Sequence, residues 1–371
     1  MLAGKKVEKQ SKQKVFVGLS GGVDSSVSAA LLLKQGYEVI GVYIKGWYPD
    51  FIECNWKEER RDAMRVAAKL GIPFLTCDAE KEYKEFVVDY LVAEYKVGRT
   101  PNPDVMCNRH VKFGAFYRFA MERGADFIAT GHYVQIKNGE LYKGLDENKD
   151  QSYFLWGVAK DELAKILFPV GNLQKSETRK LAVKFGLPTA SKKDSQGICF
   201  LGKISLEEFL EKFIEKKRGR VLNEQGKEIG YHDGAFLFTI GERHGFIITQ
   251  KGTDDKPYFV MSKNVEKNEI VVSNTGLNRF ASGDKNHKVE RIGGEAIESV
   301  VLREENWLSE IEEDKIYDCR YRYRQALIKC KVVSNKIIFM EAQKLVPEGQ
   351  SLVLYDGDRC LGGGIIDFTN L

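Results

Sequence analysis

Residues 18–26 read GLSGGVDSS, two adjacent glycines and several hydroxyls just ahead of an apolar run. Glycine lets backbone N–H groups come close to a ligand, and a helix start favours an anion, so the chemistry served here is phosphate chemistry. A Walker A loop carries a lysine after its glycines, and none follows here; GxGxxG is also absent. A plain turn with Ser and Asp capping a helix would use similar residues. The second set of reactive groups is thiols. Cys107 ends the proline-stiffened stretch GRTPNPDVMCNRHVKFG (98–114), and Cys199 sits in KKDSQGICFLG (192–202). Each lies among polar, turn-forming residues, and only the fold could bring the two together. The thiolate is the nucleophile, and Arg109 and Lys112 near Cys107 would lower a thiol pKa. Asp104, three residues before Cys107, is the natural acid or base; it would also cap a helix beginning at Val105. Cys77 and Cys330 lie in apolar strand patterns and read as small buried hydrophobes.

The elements that must position these groups follow from periodicity. KVFVGLS (14–20) reads as a buried strand and 25–35 as a helix stopped by Gly36. EVIGVYI (38–44) is the next strand, 57–70 an amphipathic helix closed by Gly71, and PFLTCDA (73–79) a third strand. A helix over about 81–96 follows, and ADFIATGHY (125–133) opens with another strand. Strands separated by helices make βαβ units and a parallel sheet, with too few units for an eight-fold barrel. After about residue 205 the texture becomes short strands with turns, and from about 286 an antiparallel β-barrel-like unit. The layout is an α/β domain over 1–204, a small central domain over 205–285 and a β-barrel over 286–371.

Composition agrees. A chain of 371 residues exceeds one ordinary core, and 30% charged with 43% hydrophobic residues fits a soluble globular protein. No apolar run approaches the ~18–20 residues that span a bilayer, so no membrane association is expected. MLAGKKVEKQSKQK has no apolar core, no cleavage site and no arginine, and reads as a solvated basic tail rather than a targeting segment. The net charge of +4 permits nucleic-acid contact without demanding it. Seven scattered cysteines with no CxxC pair point to a reducing, cytoplasmic setting.

SGGVDS resembles the PP-loop of the ATP pyrophosphatase group, SGGxDS, with Ser20, Gly21, Gly22, Asp24 and Ser25 at the matching positions. GMP, NAD and argininosuccinate synthetases and several tRNA-modifying enzymes carry versions of it. The rest of the chain narrows the choice. GRTPNPDVMCN, ATGHY, KDQSYFLW, LFPVGNLQKSETRKLA, KKDSQGICFLG, IGERHG, RYRQ and DGDRCLGGGIID together are similar to the tRNA-specific 2-thiouridylases, from about residue 14 to 368. The pairing of TPNPDxxCN with DSQGICF is the specific part. IGERHG departs from the family's usual IGQRKG.

The resemblance implies an adenine nucleotide α-hydrolase-like parallel-sheet domain, a small central tRNA-binding domain and a C-terminal β-barrel. It implies ATP-dependent 2-thiolation of the wobble uridine of tRNAs for Lys, Glu and Gln. ATP, with Mg2+, would bind Gly18, Leu19, Ser20, Gly21, Gly22, Val23, Asp24 and Ser25, with Gly131 nearby. Ile44 would face the adenine, where the family usually has methionine. Cys199 would carry a persulfide delivered by a cysteine desulfurase or a relay protein, and Cys107 would release its sulfur, with a disulfide between the two as by-product. Asn102, Pro103 and Asp104 would cradle the target base. His132, Lys149, Asp150, Gln151, Arg322, Tyr323 and Gln350 would contact tRNA. No resident metal site is expected, and the chain would act as a monomer.

CRYRYRQ (319–325) alternates, so on a strand Arg320, Arg322 and Arg324 would share one face and Cys319, Tyr321 and Tyr323 the other. That makes a phosphate-binding stripe with tyrosines for stacking, although a solvated face above a tyrosine-rich core has the same pattern. Two other readings stay open. A PP-loop ligase acting on a small metabolite would need neither cysteine, and a non-catalytic tRNA-binding or sulfur-carrier protein would not consume ATP.

Overall fold

A computed structural model describes residues 12–51, 56–193, 204–249, 256–274 and 296–368. Strands β1 (Lys14–Gly18), β2 (Glu38–Lys45), β3 (Phe74–Asp78) and β4 (Phe127–Ala129) are parallel neighbours in a five-stranded sheet. Between β4 and the last strand comes the hairpin β5 (Val134–Lys137) and β6 (Glu140–Lys143), after which β7 (Ile166–Leu167) completes the sheet in the order β3-β2-β1-β4-β7. β1 is buried on both faces, which is why KVFVG is a continuous apolar run and not an alternating one. Helices α1 (Val23–Lys34) and α2 (Trp56–Leu70) cover the side that presents Val15, Val17 and Leu19; Phe16 and Val42 face the other side with the helices of 80–121.

Those helices differ from the sequence reading. The helix expected over 81–96 runs from Glu80 to Lys96, with the looser i→i+5 hydrogen-bond pattern over Lys84–Asp89. The segment read as a loop ending at Cys107 is helical from Pro103 to Met121, again with an i→i+5 stretch, Cys107–Ala115. Proline at the first helical position pre-sets the backbone, which is why a proline-rich stretch could start a helix here. Such wide turns collect at functional sites.

The central sheet holds β8 (Gly219–Leu222), β9 (Glu228–His232), β10 (Phe246–Ile248), β11 (Phe259–Asn264) and β12 (Glu269–Ser273). The third sheet holds β13 (Ile297–Trp307), β14 (Ile316–Arg320), β15 (Ile328–Val333), β16 (Lys336–Gln343), β17 (Ser351–Asp356) and β18 (Arg359–Asp367). β13 pairs with both β16 and β18, so these six strands close on themselves around Val300, Cys319, Cys330, Leu354 and Ile366. Cys77 and Cys330 are buried as expected.

The hairpin β5–β6 was not anticipated. Its Asn138–Gly139 turn has positive φ at both residues, the geometry that a tight hairpin favours. β6 pairs with β18, so this piece of the N-terminal half extends the C-terminal sheet. Among the described residues no helix is long and apolar enough to cross a membrane.

Candidate active site

Ligands of open α/β sheets bind beyond the carboxyl ends of the strands, where the strand order reverses. Here that point lies between β1 and β4. The turn after β1 is GLSGGVDSS, and the turn after β4 is Thr130–His132. Gly21 has φ +70, and a Cβ on it would stand 2.6 Å from the Glu59 carbonyl of α2. Gly22 caps α1 in an extended conformation. Three hydroxyls tie the turn: the Ser20 and Gly22 N–H groups donate to Ser25 Oγ and Ser20 Oγ, both at 3.3 Å, and Ser26 Oγ donates to the Gly22 carbonyl at 2.6 Å. The result is a fixed cradle at a helix start, suited to an anion.

Gly131 meets this cradle from the β4 side. A Cβ on it would lie 2.6 Å from the Ser25 nitrogen, so only glycine lets the two turns touch. Ile44 packs 3.5 Å from where a Gly18 side chain would begin. Asp24 points into the crevice, where it accepts from the Tyr133 hydroxyl at 2.8 Å and from Lys175 Nζ at 2.7 and 2.8 Å. Beside the loop, a cleft of about 410 Å³ is lined by Glu59, Asp62, Thr189, Ser191 and Lys192. Burial pushes the Glu59 carboxyl up, while Lys192, bonded to Asp62 at 2.8 Å, holds that group down against its own burial.

The β4 turn also touches the helical stretch that begins at Cys107. Gly131 precedes His132, which is buried, bonded through Nδ1 to the Thr130 hydroxyl at 2.7 Å, and packed on the Phe113 ring at 5.7 Å. Burial, assisted by the Lys112 charge, drives its pKa well below the usual 6.5, so it is neutral. Lys112 also acts on Asp104, whose carboxyl is pushed up by burial and drawn back by that ammonium. Asp104, Cys107 and Lys112 share one helical segment with Phe113, the residue that packs against His132 of the β4 turn. Asp104 is not the cap: Asn102 Oδ1 accepts the Val105 N–H at 3.4 Å, and Asp104 lies in the first turn, where a carboxylate suits the helix dipole. Cys107 is buried. Cys199 lies outside the described residues, as does Cys54.

The residues expected to face RNA divide. Pro103 is buried and Lys149 half-buried. Asp150 is 4% exposed and accepts from the Gly144 and Ser152 N–H groups and from Arg320 Nη2 at 2.6 Å. It belongs to the interior, not to an exposed turn. Gln151 exchanges hydrogen bonds with the Tyr133 backbone. Gln350 Nε2 donates to the Thr100 carbonyl at 2.9 Å and to that of Pro101 at 3.2 Å, so it clamps the segment leading to Asn102. The arginine stripe does not form. β14 ends at Arg320, which is buried against Asp150 and Tyr355, and the chain then turns. Arg322 is exposed and donates to the Leu345 carbonyl at 3.0 Å; Arg324 is exposed in a left-handed conformation; Tyr323 packs on Phe154 at 4.6 Å.

Lys175 and Tyr133 escaped the sequence reading. Lys175 opens the helix Lys175–Lys184, capped by Gln174 and Glu177; it lies in LFPVGNLQKSETRKLA, a stretch that carries the family resemblance but was given no role.

Three family models match the chain: a tRNA methyl transferase HUP domain over residues 13–203, a tRNA methyl transferase PRC-barrel domain over 207–274 and an aminomethyltransferase β-barrel domain over 298–366. The tRNA-specific 2-thiouridylase MnmA of Streptococcus equi subsp. zooepidemicus (strain MGCS10565) is 43% identical over 373 residues, covering 97% of this chain and 96% of the relative. That of Streptococcus thermophilus (strain ATCC BAA-491 / LMD-9) is 43% identical over 371 residues, covering 96% of each. Among solved structures, the U34-tRNA thiolase NcsA from Methanococcus maripaludis is 20% identical, covering 55% of this chain and 67% of that one, with a TM-score of 0.35.

Proposed function

The chain belongs to the tRNA-specific 2-thiouridylase family and thiolates tRNA uridine, and we propose that the exchange of oxygen for sulfur takes place between the Gly18–Ser25 cradle and the Cys107 helix. One observation carries this reading: Gly131 lies against Asp24 and Ser25 of the cradle, and its neighbour His132 packs on Phe113 of the helical stretch that Cys107 opens.

The cradle fits a nucleotide pyrophosphate, because its helix-start amides, its positive-φ glycine and Lys175 all favour an anion. ATP supplies the activation that turns the C2 oxygen of uridine into a leaving group. Gly18 to Ser25 and Gly131 would hold its phosphates, and Ile44 would wall the adenine. Asp24 offers Mg2+ one carboxylate, which suffices for an ion that binds largely through phosphate and water. Asn102 and Pro103 shape the floor for the wobble base. Asp104, whose carboxyl burial pushes up from the ordinary carboxylate range, would serve as acid or base at the reacting centre. Cys199 would bring sulfur as a persulfide and Cys107, as thiolate, would free it. His132, Lys149, Arg322 and Tyr323 would guide the tRNA; Asp150, Gln151 and Gln350 support that surface from behind. Sulfur would come from a desulfurase or relay protein, to a monomer in the cytoplasm.

The test is direct. With ATP, tRNA and a persulfide source, digested tRNA should contain 2-thiouridine by mass, and Cys107→Ser or Cys199→Ser should bring it to background with tRNA affinity kept. ATP consumption that is indifferent to tRNA and to both cysteines would instead favour a small-metabolite ligase.

A further inference from the structure

Asp24 presents a difficulty for nucleotide binding. It stands in the first turn of α1, so a polyphosphate entering the cradle meets a carboxylate as well as the favourable amides. Like charges at such range repel strongly unless a cation intervenes. The structure holds a cation at that place. Lys175 Nζ bridges both oxygens of Asp24 at 2.7 and 2.8 Å, lies 5.7 Å from the Tyr133 ring centroid, and its side chain is only 13% exposed.

The two ends of Lys175 are fixed differently. Its backbone N–H donates to Asp146 Oδ2 at 2.9 Å, and the adjoining Gln174–Glu177 box secures the start of its helix. The four-carbon stem is the adaptable part, and an ammonium can change partners without backbone movement. Asp24 does not depend on Lys175 alone, because the Tyr133 hydroxyl donates to it at 2.8 Å. The carboxylate therefore stays oriented when the ammonium leaves.

We propose that Lys175 is a phosphate-binding residue that moves from Asp24 to the pyrophosphate of the bound nucleotide, releasing Asp24 to the magnesium ion. The inference rests on the functional reading above and deepens it. In the resting protein the ammonium occupies the cation position beside the cradle. With ATP present it neutralises the phosphates that depart together, while Mg2+ takes its place on the carboxylate.

The full-length chain and its variants Lys175→Met, Lys175→Arg, Asp24→Asn and the double variant Lys175→Met/Asp24→Asn are titrated with Mg-pyrophosphate, Mg-ATP and adenosine by calorimetry. Lys175→Met should weaken pyrophosphate and ATP by about 30-fold, the loss of one charge-assisted contact, with adenosine unchanged within about twofold. Lys175→Arg should recover most of the affinity. Unaltered pyrophosphate affinity in Lys175→Met, or an equal loss for adenosine, would overturn the assignment and leave a purely structural ion pair. If Lys175→Met fails to fold, the double variant, which removes the carboxylate together with its partner, is compared with Asp24→Asn: a further 30-fold or so loss of pyrophosphate supports the role, and none overturns it. Should the unaltered chain bind neither ATP nor pyrophosphate, the functional reading itself falls, an outcome distinct from a silent Lys175.

Discussion

The crevice proposed to hold the nucleotide and the face expected to meet RNA are both rich in charge, yet they use it in opposite ways. At the crevice, Asp24 and Lys175 pair at its wall, with Asp24 30% exposed, where an incoming ligand can exchange partners. At the base of the barrel, Arg320 and Asp150 pair at 2.6 Å with side chains only 9% and 4% exposed, and Tyr355 and Ser152 complete their hydrogen bonds. The first pair can open. The second cannot open without stranding a charge in the interior. A charged motif therefore declares a binding surface only when the fold leaves it a route to solvent.

This contrast is broken or sharpened by a graded set of variants. Cys107→Ser should have the largest effect, with 2-thiouridine in product tRNA falling to background while tRNA binding changes less than about twofold; retained turnover would remove Cys107 from the chemistry. Asp150→Ala should destabilise the chain by about 3–5 kcal/mol in urea unfolding, because it leaves Arg320 buried without a counterion. A mild loss there would mean that the pair is accessible after all. Gly131→Ala should cost about 1–3 kcal/mol and weaken ATP, since its methyl would enter the Ser25 backbone; normal ATP affinity would show that the two turns can part.

Protonation gives a smaller signal. His132 has its pKa depressed by burial, so below about pH 6.5 the unfolded chain takes up a proton that the folded chain refuses. Stability should fall by about 1 kcal/mol over the pH unit below 6.5, and His132→Asn should flatten that slope in acid-unfolding curves. Exposed Arg322→Ala should move stability by less than about 0.5 kcal/mol. It should reduce the salt dependence of tRNA binding by about one phosphate contact, read as the slope of log affinity on log salt. An unchanged slope would place the RNA surface elsewhere.

Much of the architecture was legible because it is written in near neighbours. KVFVG followed by a glycine turn and an apolar helix can hardly be anything but a βα unit, and its repetition dictates a parallel sheet. β7 was missed because two residues, Ile166 and Leu167, carry no periodicity. The helix before Cys107 was read only as an alternative, capped by Asp104 and beginning at Val105, because TPNPD carries turn-forming residues that serve equally as caps; Asn102 supplies the capping oxygen and Pro103 the first helical φ.

What the sequence determined by itself is the glycine-rich turn at a helix start, the two candidate thiols Cys107 and Cys199 and the succession of an α/β part and two β-rich parts. These depend on contacts within a turn or along one element, where residue type and spacing suffice. Tertiary structure alone decided that Arg320 turns inward to Asp150, that Gln350 reaches across to the Thr100 carbonyl, that β6 joins β18 and that Lys175 closes on Asp24. Each of these joins residues more than a hundred positions apart, and whether a charge ends against solvent or against its opposite is fixed by which distant element packs over it.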